Sequence, residues 1–159
     1  MRKVIIAVVI IALVVLYAAY YYRYPKTTSI LQTTLDRFSM NLLLEKQPIV
    51  IQEGVHDLSV LRRLWFGSNI AYTDVAVPNS SWTRNRYKFL LLQFGSPAEV
   101  LMYPAGKPMK NEVPPPQETL LAVQLSPHQV LIVPFHWSYM FTEPEVRSLG
   151  VHDLVTFFL

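Results

Sequence analysis

Residues 87–94 read Tyr-Lys-Phe-Leu-Leu-Leu-Gln-Phe, and the second half of this run is apolar on both faces of an extended chain. A strand with one face in water alternates apolar and polar residues, whereas a continuous apolar run belongs to a strand covered on both sides. The stretch is therefore expected to be a central strand. On either side of it, short apolar runs alternate with turn-forming residues. The runs are Ile70 to Val77, Glu99 to Tyr103, Thr119 to Leu125, Gln129 to Val133 and Leu154 to Leu159. Pro78-Asn79-Ser80, Gly95-Ser96-Pro97, Pro104-Ala105-Gly106, Pro114-Pro115-Pro116 and Ser126-Pro127-His128 separate them. Short strands at close spacing with turn chemistry between them point to a β sandwich or barrel. The proline triplet reads as a rigid extended connector.

Upstream of this region the texture differs. Thr27 to Leu44 reads as helical, with Ile30, Leu31, Leu35, Phe38 and Leu42 on one side and Thr27, Thr28 or Ser29 as a cap. Pro48-Ile49-Val50-Ile51 is a short β-type run closed by Glu53-Gly54. A second helical piece is expected from Asp57 to Trp65, with Leu58, Leu61, Leu64 and Trp65 opposite Arg62 and Arg63.

The N-terminus carries nineteen consecutive residues, Val4 to Tyr22, without charge, proline or glycine. As a helix this run reaches about 30 Å, the thickness of a bilayer's hydrocarbon core. Val4, Ile5, Ile6, Val8, Val9, Ile10, Ile11, Leu13, Val14, Val15 and Leu16 supply its apolar surface. Tyr17, Tyr20, Tyr21 and Tyr22 follow, and tyrosines favour the headgroup level, where the ring is half apolar and the hydroxyl is wet. An uncleaved anchor fits better than a signal peptide, because Ala18-Ala19 is followed by bulky tyrosines and Tyr24-Pro25 rather than by a small-residue cut site. Arg2 and Lys3 at one end and Arg23 and Lys26 at the other leave the orientation open. The expected organisation is an anchor over residues 1–24 and one domain over residues 25–159.

Of the fourteen basic residues, removing Arg2 and Lys3 leaves twelve against eleven acidic ones, so the rest of the chain is nearly neutral. The pI of 9.2 therefore signals no nucleic-acid partner, and the alternation of Arg84, Arg86 and Lys88 suits one solvated strand face. The chain has no cysteine, which excludes disulfides, zinc-thiolate sites and thiol catalysis. Four histidines, His56, His128, His136 and His152, give no zinc-binding spacing, and nucleophile-elbow, phosphate-loop and dinucleotide signatures are absent. Gly-Val-His-Asp-Leu occurs twice, at Gly54 to Leu58 and Gly150 to Leu154. The expected meaning is local: each glycine ends an element, and Asp57 or Asp153 bonds the turn that follows.

Three pieces, in order, resemble the cupin-like Jumonji C domain, a double-stranded β-helix. Glu45 to Ile51 is similar to its first strand after the N-terminal helix. Phe89 to Gly95 followed by Glu99 to Pro104 resembles its central hairpin, and Pro127 to Trp137 its turn-strand segment ending in Pro-x-x-Trp. The resemblance implies a mainly β, jelly-roll fold with an N-terminal helix, here behind a single transmembrane helix. It also implies where iron would sit: a His-x-Asp/Glu pair near Trp82-Thr83-Arg84 and a distal histidine at the position of Tyr139. From Val75 to Leu92 there is no histidine or carboxylate, and His136 is three residues from the distal position. The resemblance thus carries the fold and argues against the family's chemistry, so no catalytic residue, metal ligand or cofactor is assigned.

The aromatic residues Trp82, Trp137, Tyr139 and Phe141 lie in stretches denser in rings than a loop needs. They either plug the open ends of the barrel or contact a neighbouring protein. An anchor, a β module without a working site and no cysteine together suggest a non-enzymatic adaptor. Its partners would be a lipid bilayer and other structural proteins of a capsid or scaffold. In texture the chain looks like the membrane-anchored minor capsid proteins of large double-stranded DNA viruses, which join an internal virion membrane to a shell. A membrane-tethered iron- and oxo-acid-dependent hydroxylase and a single-pass ligand-binding module are the alternatives.

Overall fold

The computed structural model describes residues 2–25, 27–61, 71–106 and 116–158. Helix α1 (Arg2–Tyr21) is, among the described residues, the one helix long and apolar enough to cross a membrane. Ten strands follow among the described residues: β1 (Leu31–Thr33), β2 (Ile49–Ile51), β3 (Ala71–Asp74), β4 (Thr83–Arg84) and β5 (Phe89–Phe94), then β6 (Ala98–Tyr103), β7 (Leu121–Leu125), β8 (Val130–Pro134), β9 (Ser138–Met140) and β10 (Val146–His152). Among the described residues there are also two short α-helices, α2 (Met40–Leu44) and α3 (Leu154–Phe158), a single 3-10 turn at Gln117–Thr119, and the start of a further helix at residues 59–61.

The strands form a six-stranded sheet in the order β1-β2-β8-β5-β10-β3 and a four-stranded sheet in the order β4-β9-β6-β7. All pairs are antiparallel except β1–β2. Four of the pairs are nested about the β6–β7 connection: β6 with β7, β5 with β8, β4 with β9 and β3 with β10. Successive nested pairs lie in opposite sheets. The chain from β3 to β10 is thus one long antiparallel ribbon rolled on itself.

Strand β5 is central, as the apolar run requires, with β8 on one side and β10 on the other. Every residue of it is buried, because its two faces serve two cores. Leu90, Leu92 and Phe94 point with Val50, Leu131 and Val133 at Val100, Met102, Val123 and Leu125 of the four-stranded sheet. Phe89 and Leu91 point the other way with Ile49, Ile51, Val130, Ile132, Leu149 and Val151. That second core is covered by Leu43, Val55, Leu58 and Leu61, with Leu31, Leu35, Phe38 and Leu42 packed on it. Period-two alternation therefore sorts one strand's side chains into two separate apolar clusters.

Three local expectations are corrected. The segment Thr27 to Leu44 is not one helix but strand β1, a turn and the single-turn helix α2. Strand β2 would otherwise leave a row of edge groups unpaired, and Leu31 to Thr33 pairs with it in parallel, Leu31 N–H bonding Pro48 O at 2.8 Å. Leu31, Leu35, Phe38 and Leu42 still reach one core, by a route other than a continuous helix face. Leu154 to Phe158 is helical rather than extended, because Asp153 caps it: Oδ1 accepts the N–H groups of Val155 and Thr156, both at 3.1 Å. Gly150 ends no element. It lies within β10, where a Cβ would stand 2.6 Å from the Tyr87 ring. The helix expected from Asp57 begins at residues 59–61, with Asp57 Oδ1 accepting Ser59 N–H at 2.8 Å, and its remainder lies outside the described residues, as do the Arg62-Arg63 pair and most of the proline connector.

Candidate functional site

Two places bear on function: the β4–β9 corner, where the resemblance puts iron, and the junction between α1 and the domain. At the corner, Thr83 is directly opposite Tyr139 and Arg84 opposite Ser138. The two halves of the implied ligand set therefore meet across one strand pair, beside a cavity of about 360 Å³ lined in part by Trp82, Arg86 and Tyr87. The residues present do not fit a ferrous ion. Such a site needs imidazole and carboxylate donors, and here a hydroxyl, a guanidinium, an indole and a phenol face it. Burial pushes the Tyr139 phenol well above its usual pKa, with Tyr87 adding to the effect, so it stays a neutral group. Among the described residues, no group of three histidine, cysteine, aspartate or glutamate side chains could hold a metal ion.

The corner is instead held by Asn85, which is buried. Its Nδ2 donates to Val133 O at 2.8 Å and Pro134 O at 2.9 Å, while its Oδ1 accepts Tyr87 N–H at 2.9 Å. Its backbone N–H bonds Trp137 O, and its carbonyl accepts His136 N–H. The asparagine sits in Arg-Asn-Arg between two strands, a setting in which the side chain mimics a turn's backbone.

The structure does not place Trp137, Tyr139 and Phe141 on the surface. All three are at most 2% exposed, in the core between the sheets, where Tyr139 and Phe141 stack at 6.2 Å and Phe94 meets Phe141 edge-on. Alternation along β9 turns Tyr139 inward, and the apolar rings of Trp137 and Phe141 follow it. Of the four expected interface residues, only Trp82 is partly exposed.

The residues expected to form an anchor separate into two groups. From Val4 to Leu16 the large apolar side chains are all more than half exposed. The tyrosines behave differently, because the last turn of α1 is built into the domain. Tyr21 is buried, with its ring edge-on to Phe135 at 5.2 Å. The hydroxyls of Tyr17, at 2.6 Å, and of Tyr21 donate to Asp153 Oδ2. Lys88 Nζ lies 3.5 Å from the same oxygen. Asp153 is 3% exposed, so one buried carboxylate joins α1, the start of β5 and the cap of α3.

Lys46 grips the end of α1 as well. Its ammonium donates to the carbonyls of Tyr20 and, at 2.9 Å, Arg23, and stands 3.9 Å over the Tyr20 ring. A cation on the last carbonyls of a helix satisfies orphan acceptors and meets the negative end of the helix dipole. Burial, with the charge of Arg23 adding, lowers the Lys46 pKa to about 8. The Lys46 carbonyl accepts the indole N–H of Trp137 at 3.0 Å, which ties the grip to the core. The neighbouring Gln47, also buried, bonds Thr27 O through Nε2 and Ser29 N–H through Oε1.

The linker after α1 is fastened at Tyr24, whose hydroxyl meets His136 Nδ1 at 2.7 Å. Its ring packs on Gly106, where φ is +84° and a Cβ would lie 2.5 Å away. Burial, with Arg84 adding, lowers the His136 pKa from 6.5 to about 4. The unfolded chain therefore takes up this proton at a higher pH than the folded chain. The contribution of neutral His136 is full above pH 6.5 and is lost as pH falls towards 4. We expect the denaturation midpoint of the full chain in micelles to drop over that interval, and to drop less in His136→Gln. Equal slopes would contradict this assignment.

Comparison with family models, curated proteins and solved structures returns no match. Lys46, Gln47 and Asn85 are the residues of these two places that the sequence reading does not single out. Asp153 is legible as the turn aspartate of the second Gly-Val-His-Asp-Leu, and its capping role is the part of that reading the structure bears out.

Proposed function

We propose that this chain is a single-pass membrane protein whose β domain is a jelly roll of the double-stranded β-helix type. In this reading it serves as a non-enzymatic adaptor between a bilayer and a protein shell or scaffold. The observation that carries the membrane reading is the integration of α1's last turn into the domain through Asp153 and Lys46. A cleaved signal sequence has no use for hydrogen bonds to the mature domain's interior. The jelly-roll reading is supported by the nested ribbon of eight strands, whose pairs alternate between two facing sheets. The adaptor reading is supported by the β4–β9 corner, where side chains unsuited to iron occupy the positions the family's chemistry needs.

The test is carbonate extraction of membranes from cells making the full chain, followed by N-terminal sequencing of the pellet. The intact chain is expected to stay in the pellet with its N-terminus upstream of Val4. Release of the intact chain by carbonate, or a mature N-terminus near Tyr20, would refute the anchor.

A further inference from the structure

We infer that the face of the domain around α1 is itself a membrane-contacting surface, with α2 and α3 forming an apolar collar seated in the same bilayer that α1 spans. The inference rests on the reading of α1 as a span. Its first support is length. Twenty helical residues reach about 30 Å, which a hydrocarbon core uses entirely. The uncharged run is bounded by Lys3 and Arg23, so none of it is left over to hold the domain away from the lipid. Yet Tyr17, more than a turn inside the helix end, already touches Asp153. Whatever lies level with Asp153 must therefore lie at the membrane surface.

Two short helices lie at that level. Helix α3 starts at the residue after Asp153, and its Leu154, Phe157 and Phe158 are 55%, 55% and 78% exposed. The end of α2 stands on the other flank, where the Leu44 carbonyl accepts the Tyr20 hydroxyl at 3.4 Å. Leu44 is 62% exposed and Met40 48%. Five large apolar side chains in water around the exit of an apolar helix would be a liability for a soluble face. The same residues at the boundary of headgroups and acyl chains bury their surface without any partner protein.

The space between the flanks has matching chemistry. A crevice of about 200 Å³ runs between the last turn of α1 and the domain, walled by Tyr17, Tyr20, Leu44, Phe89, Pro134 and Phe135. Water in such a crevice finds few hydrogen-bond partners, whereas an acyl chain fills it favourably. Lys46 and Lys88 also line it, at the height where lipid phosphates lie. The occupant is thus the bilayer itself, continuous with the lipid around α1.

The chain has no cysteine, so one introduced thiol is a unique label site. Full-length Val9→Cys, Leu44→Cys, Phe158→Cys and Ala122→Cys, each spin-labelled, would be reconstituted into phosphatidylcholine vesicles. Ala122 is an exposed residue of β7, in the other sheet. Collision of each nitroxide with oxygen, which concentrates in lipid, and with an aqueous nickel complex would then be compared. The expected result is loss of nickel collisions with oxygen collisions retained at Val9, Leu44 and Phe158, but not at Ala122. Val9 in lipid with Leu44 and Phe158 matching Ala122 would overturn the collar and leave the span standing. Loss of both kinds of collision at Leu44 and Phe158 would mean that protein covers the face, and would also overturn it. Val9 matching Ala122 would remove the span and the collar together.

Discussion

Asp153→Ala is expected to lower the stability of the full chain in micelles by about 3 kcal/mol and to loosen the anchor from the domain. Two losses combine. The first is the cap of α3, where Oδ1 accepts two backbone N–H groups and the Thr156 hydroxyl at 3.2 Å, a loss typically near 1 kcal/mol. The second is the acceptor that Tyr17, Tyr21 and Lys88 share on Oδ2. Alanine leaves these donors facing a buried gap without water to replace the oxygen, which costs more than the bonds were worth. Asp153→Asn keeps the cap acceptor but removes the charge, so it should fall between wild type and alanine. The readouts are the denaturant midpoint and the rate of tryptic cleavage after Arg23, which should rise as α1 detaches. An alanine variant with wild-type stability and an unchanged cleavage rate would show that the anchor junction contributes nothing.

The parts of the fold that could be read in the sequence are those whose side chains carry their own period. Strand β5 is apolar on both faces and is central; β2, β6, β7 and β8 are short apolar runs bounded by proline, glycine or serine, and they are strands within a residue or two of the expected ends. Helix α1 needs nothing beyond its composition. What the sequence hid is what depends on partners. Leu31 to Thr33 carries helical spacing and becomes a strand because β2 offers an edge. Strand β10 contains Gly150, which reads as the end of an element, yet it fills the gap between β5 and β3. The glycine is there because the Tyr87 ring occupies the space of a side chain. The anchor junction was legible only as a cluster of tyrosines at the end of an apolar run. Its receiving groups, Lys46 and Asp153, are more than twenty and one hundred and thirty residues away in the chain, and no local pattern announces such a meeting.

Trp137 separates the two meanings that an aromatic-rich stretch can have. If it were an interface residue, Trp137→Ala would leave the isolated chain stable and weaken only association with a partner. Its position argues for the opposite. The side chain is fully buried between the sheets, and its indole N–H donates to the Lys46 carbonyl. Removing a buried indole leaves a cavity that surrounding strands cannot close, a loss of about 4 kcal/mol. Trp137→Phe refills most of the volume and removes only the hydrogen bond, so it should cost about 1–2 kcal/mol. The second effect is specific to this fold. Lys46 has a positive φ of 54°, and its ammonium holds the end of α1, so releasing its carbonyl relaxes the clamp as well as the core. Trp137→Phe should therefore raise tryptic cleavage after Arg23 more than a core substitution of similar cost that leaves Lys46 alone, such as Ile132→Val, at about 1 kcal/mol. If the two variants, matched in stability, are cleaved at the same rate, the indole is only packing, and the link from the core through Lys46 to the anchor does not exist.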